Sequence, residues 1–138
     1  MRNPDILKKH LEEMYENLAI LDELKSMPLS QFKGDKKTIK VSERCLQLSI
    51  QGLLDICHYA IVNENLTRPA DNREAILILG ANGIIPKDFA EKIAPMAGLR
   101  NLLVHEYTKI DPARIHAQLQ NLEDFREFSR YILKYIDK

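Results

Sequence analysis

The sequence predicts an all-α protein, an antiparallel bundle of about four major helices with one or two short ones, forming a single domain over residues 1–138. Three observations predict it. Apolar side chains recur at spacings of three and four over long stretches, which is the repeat of helices with one buried face. Helix-start residues stand ahead of several of these stretches. No run alternates apolar and polar residues long enough to make a convincing strand. The short apolar run Ile76–Leu79 follows a capping signal and is read as helix.

Asn3-Pro4-Asp5 opens the first helix with a capping amide, a first-turn proline and an acid. Leu7, Leu11, Met14, Leu18 and Leu21 form its stripe, which should run to about Lys25. Residues 26 to 35 contain Pro28 and Gly34 and read as a loop. A long helix then fits from about Lys37 to Asn63, with Leu46, Ile50, Leu53, Leu54, Cys57 and Ile61 on its apolar face. Asp71 and Glu74 resemble a capping box for a short helix that Asn82-Gly83 stops. Pro86 begins another helix. Pro95 should kink or divide it, since its ring clashes with the preceding turn and it donates no N–H. Gly98, just beyond, offers a place for a second backbone to approach. Asp111-Pro112 restarts the chain, and Ile115, Leu119, Leu122, Phe125, Phe128, Ile132 and Ile136 predict one long final helix.

Lysine and arginine total 20 and aspartate and glutamate total 20, which argues against a nucleic-acid binder that relies on overall basic charge. A local basic patch is still open; Lys33, Lys36, Lys37 and Lys40 are close in sequence, and their plain reading is a solvated helix start. No signal-peptide core and no uninterrupted apolar run of bilayer length stands out, so a soluble cytoplasmic protein is expected. Cys45 and Cys57 fall on one predicted helix, too far apart for a disulfide, and read as small core residues in a reducing compartment. His10 and His116 read as surface side chains. No glycine-rich phosphate loop and no Cys/His metal spacing is present, and no cofactor is expected.

Reactive side chains concentrate in Arg100-Asn101-Leu102-Leu103-Val104-His105-Glu106-Tyr107. On an ideal helix continued to Tyr107, Arg100 and Tyr107 lie within about 20° of each other. Asn101 and His105 share another flank, and Met96, Leu99 and Leu103 pack inward. Arg100 and His105 therefore splay apart and make one wall of a site, which a symmetric dimer of this helix would complete. Along the long helix, Arg44, Gln47, Gln51, Asp55 and His58 form a polar stripe that is a candidate cleft lining, with Asp55 placed to orient His58. The plain alternative is an Arg–carboxylate bridge, a surface histidine and a solvated face. Chemically, an imidazole and a guanidinium suit phosphodiester cleavage in RNA. The imidazole moves the proton of the ribose 2′-hydroxyl or of the leaving oxygen, and the guanidinium holds the phosphate.

Arg100, four intervening residues, His105, one more residue and Tyr107 resemble the Arg-x4-His-x-Tyr motif of HEPN domains. The surrounding Met96-Ala97-Gly98-Leu99 and the following Asp111-Pro112 resemble the HepT toxin branch of that superfamily. The resemblance implies an all-α homodimer with a composite cleft, acting as the metal-independent endoribonuclease toxin of a toxin–antitoxin pair. It implies that Arg100 and His105 are catalytic, that Asn101 is the supporting polar residue, and that Tyr107 accepts AMP. The enzyme that adds it would be an MntA-like minimal nucleotidyltransferase antitoxin. Two other functions compete. One is a non-catalytic helical subunit that binds a nucleotidyltransferase partner or a nucleotide. The other is a structural bundle whose motif only bridges a dimer. RNA cleavage that survives a chelator and is lost in His105→Ala separates the first reading from both.

Overall fold

The computed structural model describes residues 3–105 and 109–137 and places eight helices among them. Helix α1 (Pro4–Leu24) is capped by the Asn3 side chain, which accepts from the Asp5 N–H at 3.1 Å. It buries the predicted stripe of Leu7, Leu11, Met14, Leu18 and Leu21. Helix α3 (Lys36–Asn63) starts on Asp35, whose carboxylate accepts from the Thr38 N–H at 3.0 Å. The Asn3 N–H donates to the Tyr59 hydroxyl at 3.1 Å, while a Cβ built on Gly52 would lie 3.5 Å from that of Met14. The start of α1 thus meets the end of α3, and the two run antiparallel. Each fully buried aliphatic side chain at this seam contributes about 2 kcal/mol.

Helix α4 (Asn72–Ala81) has the expected cap, Asp71 accepting from the Glu74 N–H at 2.8 Å. Gly83 follows it with φ 71°, a left-handed turn conformation that favours glycine. Proline 95 divides rather than kinks the next helix, giving α5 (Lys87–Ile93) and α6 (Met96–Val104), with the pyrrolidine at the cap of the second. Gly80 brings α4 against α5: a Cβ there would lie 2.6 Å from Ala90 Cβ. Gly98 does not serve a close approach among the described residues, since none of them lies within 4 Å of a Cβ built on it.

Three expectations are corrected. The loop after α1 contains a short helix, α2 (Leu29–Lys33), which buries Phe32. The final segment is two helices, α7 (Pro112–Leu119) and α8 (Glu123–Ile136). Leu119, Leu122, Phe125 and Phe128 succeed each other in steps of three, shorter than the 3.6-residue period of a helix. The chain takes up this mismatch in a tight turn, where Gln120 N–H bonds to the Ala117 carbonyl and Asn121 N–H to that of Gln118. His116 is half-buried rather than a plain surface residue. Its Nε2 is 2.7 Å from the Met27 carbonyl oxygen, and its ring meets Phe32 edge-on.

By length and composition α3, alone among the helices of the described residues, would pass for a membrane span. Its apolar side is instead taken up by the core, where Leu46, Ile50, Leu53, Leu54, Ile56 and Cys57 are buried. Its other side carries the polar stripe, and α6 lies across that side. Cys45 and Cys57 are free and buried, and burial pushes both thiols above their ordinary range.

Candidate active site where the end of α6 meets α3

Helix α6 anchors itself with Ala97 and Leu99 in the core, Met96 and Leu103 packing partly against it. That leaves Arg100 half-buried at the boundary with α3 and Asn101 exposed. Arg100 Nε donates to Gln51 Oε1 at 2.9 Å, and its Nη1 donates to Asn101 Oδ1 at 3.2 Å. Gln51 in turn donates from Nε2 to Asp55 Oδ1 at 2.8 Å. Nη2 of Arg100 has no hydrogen-bond partner among the described residues. The plain alternative of a direct Arg100–carboxylate bridge does not occur among them.

His105 departs from the helical wheel. The helix stops at Val104, and His105 is its cap, with φ −74° and ψ 108°. Its backbone N–H still reaches the Asn101 carbonyl at 3.3 Å, but its ring leaves the helix surface and is exposed. The flank it was expected to share with Asn101 is therefore not a helical face. His105 borders a small cavity of about 190 Å³ with Leu102 and Leu103 from α6 and Lys40, Glu43, Arg44 and Gln47 from α3. The expectations for Glu106 and Tyr107 lie outside the described residues.

The polar stripe of α3 divides between three settings. Arg44 and Gln47 flank His105; Gln51 and Asp55 connect to Arg100. His58 belongs to neither, since its Nε2 lies 2.8 Å from Asn72 Oδ1 at the start of α4. Asp55 therefore orients the Gln51 amide and not the His58 ring. Lys40 and Glu43, which line the cavity beside His105, also line a larger one of about 750 Å³. Lys36, Ile39, Lys109, Ile110, Asp111 and Pro112 complete the lining of the larger one.

Lys40 and Lys109 at this groove had no assigned place in the site from sequence. A signal was present, because Lys36, Lys40, Arg44, Gln47 and Gln51 follow each other by three or four residues and so share one side of α3. Lys36, Lys40, Arg44 and Lys109 make no salt bridge among the described residues. Four unpaired cations against Glu43 and Asp111 make the groove locally cationic within a neutral chain. Among the described residues no group of three or more His, Cys, Asp or Glu side chains is placed to hold a metal ion.

This arrangement can grip an anion. A guanidinium is held through Nε and Nη1 with Nη2 left over, an imidazole stands in solvent beyond the same helix end, and lysines line the groove between α3 and the segment after α6. A sequence model of the family described as ribonuclease HepT-like matches residues 6–132. A protein of Aphanizomenon flos-aquae named tRNA nuclease HepT is 31% identical over 134 residues, spanning 96% of this chain and 91% of that one. A protein of Shewanella oneidensis named mRNA nuclease HepT is 29% identical over 100 residues, spanning 72% and 75% respectively. In three dimensions the chain is similar to a tri-AMPylated HEPN toxin of Shewanella oneidensis solved in complex with its MNT antitoxin. The TM-score is 0.85 at 24% identity, over 97% of this chain and 99% of that one, a likeness of fold.

Proposed function

The chain belongs to the HepT-like ribonuclease family, and on that premise we propose that it is an endoribonuclease toxin that cleaves RNA without a metal. Arg100 and His105 carry the reaction. His105 takes the proton of a ribose 2′-hydroxyl, which attacks the adjacent phosphorus. The 5′-oxygen leaves with a proton returned by an imidazole. Arg100 presents Nη2 to the phosphate and stabilises the charge that accumulates on its oxygens. Asn101 holds Nη1, and the groove of Lys36, Lys40 and Lys109 receives flanking phosphates.

The observation that carries this reading is the state of Arg100. It is anchored through Nε and Nη1 to uncharged oxygens, with Nη2 unpartnered among the described residues, on the helix that delivers His105.

The working form is a homodimer, in which a second α6 faces the first and a second imidazole supplies the acid opposite the base. Exposed Val41, Leu48 and Val104, together with Gly98 open to solvent, support a partner on this side of the chain. The antitoxin is a nucleotidyltransferase of the MntA kind, which transfers AMP from ATP to the Tyr107 hydroxyl with release of pyrophosphate. The added phosphate brings negative charge to a site built for an RNA backbone and engages its cations.

The test is cleavage of a cellular tRNA or mRNA pool by the purified protein in excess chelator. Activity should persist in the chelator and fall by about 10²-fold or more in His105→Ala and in Arg100→Ala. Full cleavage by His105→Ala overturns the catalytic assignment. Co-expression with the nucleotidyltransferase should add the mass of AMP to the wild type and not to Tyr107→Phe.

A further inference from the structure

Arg100, Gln51 and Asp55 form a relay in which a neutral amide stands between a cation and an anion. Arg100 Nε donates to Gln51 Oε1 at 2.9 Å, and Gln51 Nε2 donates to Asp55 Oδ1 at 2.8 Å. Gln51 and Asp55 are one turn apart on α3, so their side chains are neighbours on the helix that carries the core. We infer that Gln51 and Asp55 are positioning residues for Arg100: the amide fixes the plane of the guanidinium while leaving its charge for the phosphate. The inference rests on the reading of Arg100 as the phosphate-binding group.

Two physical arguments support it. A carboxylate at position 51 would pair directly with the guanidinium, tending to occupy a second N–H and to offset its charge. An amide oxygen accepts the Nε–H equally well and carries no net charge, so Nη2 stays available. The amide must also point the right way. Reversed, it would set its NH₂ against the guanidinium and its oxygen against the Asp55 carboxylate, both repulsive. Asp55 thus selects the end of Gln51 that faces Arg100 and polarises the amide toward a better acceptor. Asp55 makes no salt bridge among the described residues, so its charge is satisfied here through the amide and not by a cation.

The test has one arm that reads geometry and one that reads chemistry. In the first, the Arg100 Nε–H resonance is assigned by its loss in Arg100→Lys and its hydrogen exchange is followed in the full chain. Exchange should accelerate at least severalfold in Gln51→Met and to an intermediate degree in Asp55→Ala, with Tm within a few degrees of wild type. Unchanged exchange in both variants overturns the relay, whatever the protein does to RNA.

In the second arm, Gln51→Met should lower kcat by about ten- to a hundredfold with KM little changed, the effect of displacing a reacting group without removing it. Gln51→Glu should also lower kcat, because the guanidinium is then paired. In an Arg100→Ala background Gln51→Met should have no further effect. A merely structural role for Gln51 predicts the opposite: a lowered Tm and losses that multiply with those of Arg100→Ala. If the wild type cleaves RNA and Gln51→Met matches it, the inference is overturned while the ribonuclease reading stands. If the wild type cleaves nothing, that reading fails and the exchange arm still decides the relay.

Discussion

The His105 N–H donates to the Asn101 carbonyl at 3.3 Å, and this closes the last turn of α6. Because the bond uses backbone atoms only, it holds the position of residue 105 whatever its side chain. The imidazole is exposed, on an extended backbone. Structure and chemistry are thereby separable at this residue. His105→Ala should change stability by no more than about 0.5 kcal/mol, the range of an exposed substitution, while removing RNA cleavage. Thermal melts beside cleavage assays check it. A large loss of Tm would mean that the ring is part of the fold, and the loss of activity would then say nothing about proton transfer.

The groove lined by Lys36, Lys40 and Lys109 makes a prediction about salt. For single strands, each phosphate neutralised contributes a slope of about 0.7 to the fall of log affinity with log salt. Replacing the three lysines by glutamine should reduce the slope by about 2, measured with single-stranded RNA on the His105→Ala protein so that the ligand survives. The fold should hold, since all three are exposed and make no salt bridge among the described residues. An unchanged slope would show that RNA takes another path.

What the sequence disclosed follows the reach of each signal. Capping and burial periodicity are local, so Asn3, Asp71 and Asp111 marked their helices correctly, and α1 and α3 ended within about a turn of expectation. Pro95 announced a break without saying whether it would bend or divide the helix. The α7–α8 division was visible only as a local run of three steps of three between steps of four, a signal that α-helical averaging hides. The Arg100-to-His105 spacing was legible, but its geometry was not, because a helix wheel assumes that the helix continues and α6 stops at Val104. Gln51 was placed on the polar stripe by periodicity. That it meets Arg100, forty-nine residues away, is a fact of helix packing that periodicity does not contain. His58 shows the same limit from the other side: three residues from Asp55, it bonds to Asn72 across the fold.

Gly80 sets the spacing of α4 and α5. A methyl group there would lie 2.6 Å from Ala90 Cβ and 3.3 Å from Lys87 Cα, and neither of those atoms can rotate away. Two effects oppose each other in Gly80→Ala. Helix propensity favours alanine by about 1 kcal/mol, and overpacking costs about 1–3 kcal/mol. With atoms fixed to the backbone on the far side, the clash should prevail, for a net loss of up to about 2 kcal/mol. Denaturant unfolding measures it, and a stabilised Gly80→Ala protein would show that α5 can move away freely.

Asp35 gives the start of α3 a dependence on pH. The Thr38 backbone N–H donates to its carboxylate, and that bond holds the carboxyl below its ordinary range. A folded-state value lowered in this way stabilises the protein above the unfolded value, and the contribution is lost as pH falls through the lowered one. Asparagine caps a helix about as well and does not titrate in this range. Wild type and Asp35→Asn should therefore melt alike near neutrality and diverge between about pH 5 and pH 2, with wild type losing more Tm. Asp35→Ala should melt lower at neutral pH and approach wild type in acid. Parallel Tm curves for wild type and Asp35→Asn would show that the cap bond does not depend on the carboxylate charge. The consequence for function lies in the first turns of α3, which carry Lys36 and Lys40. Fraying there loosens the basic groove, so at neutral pH RNA binding by Asp35→Ala should weaken before the global melt begins.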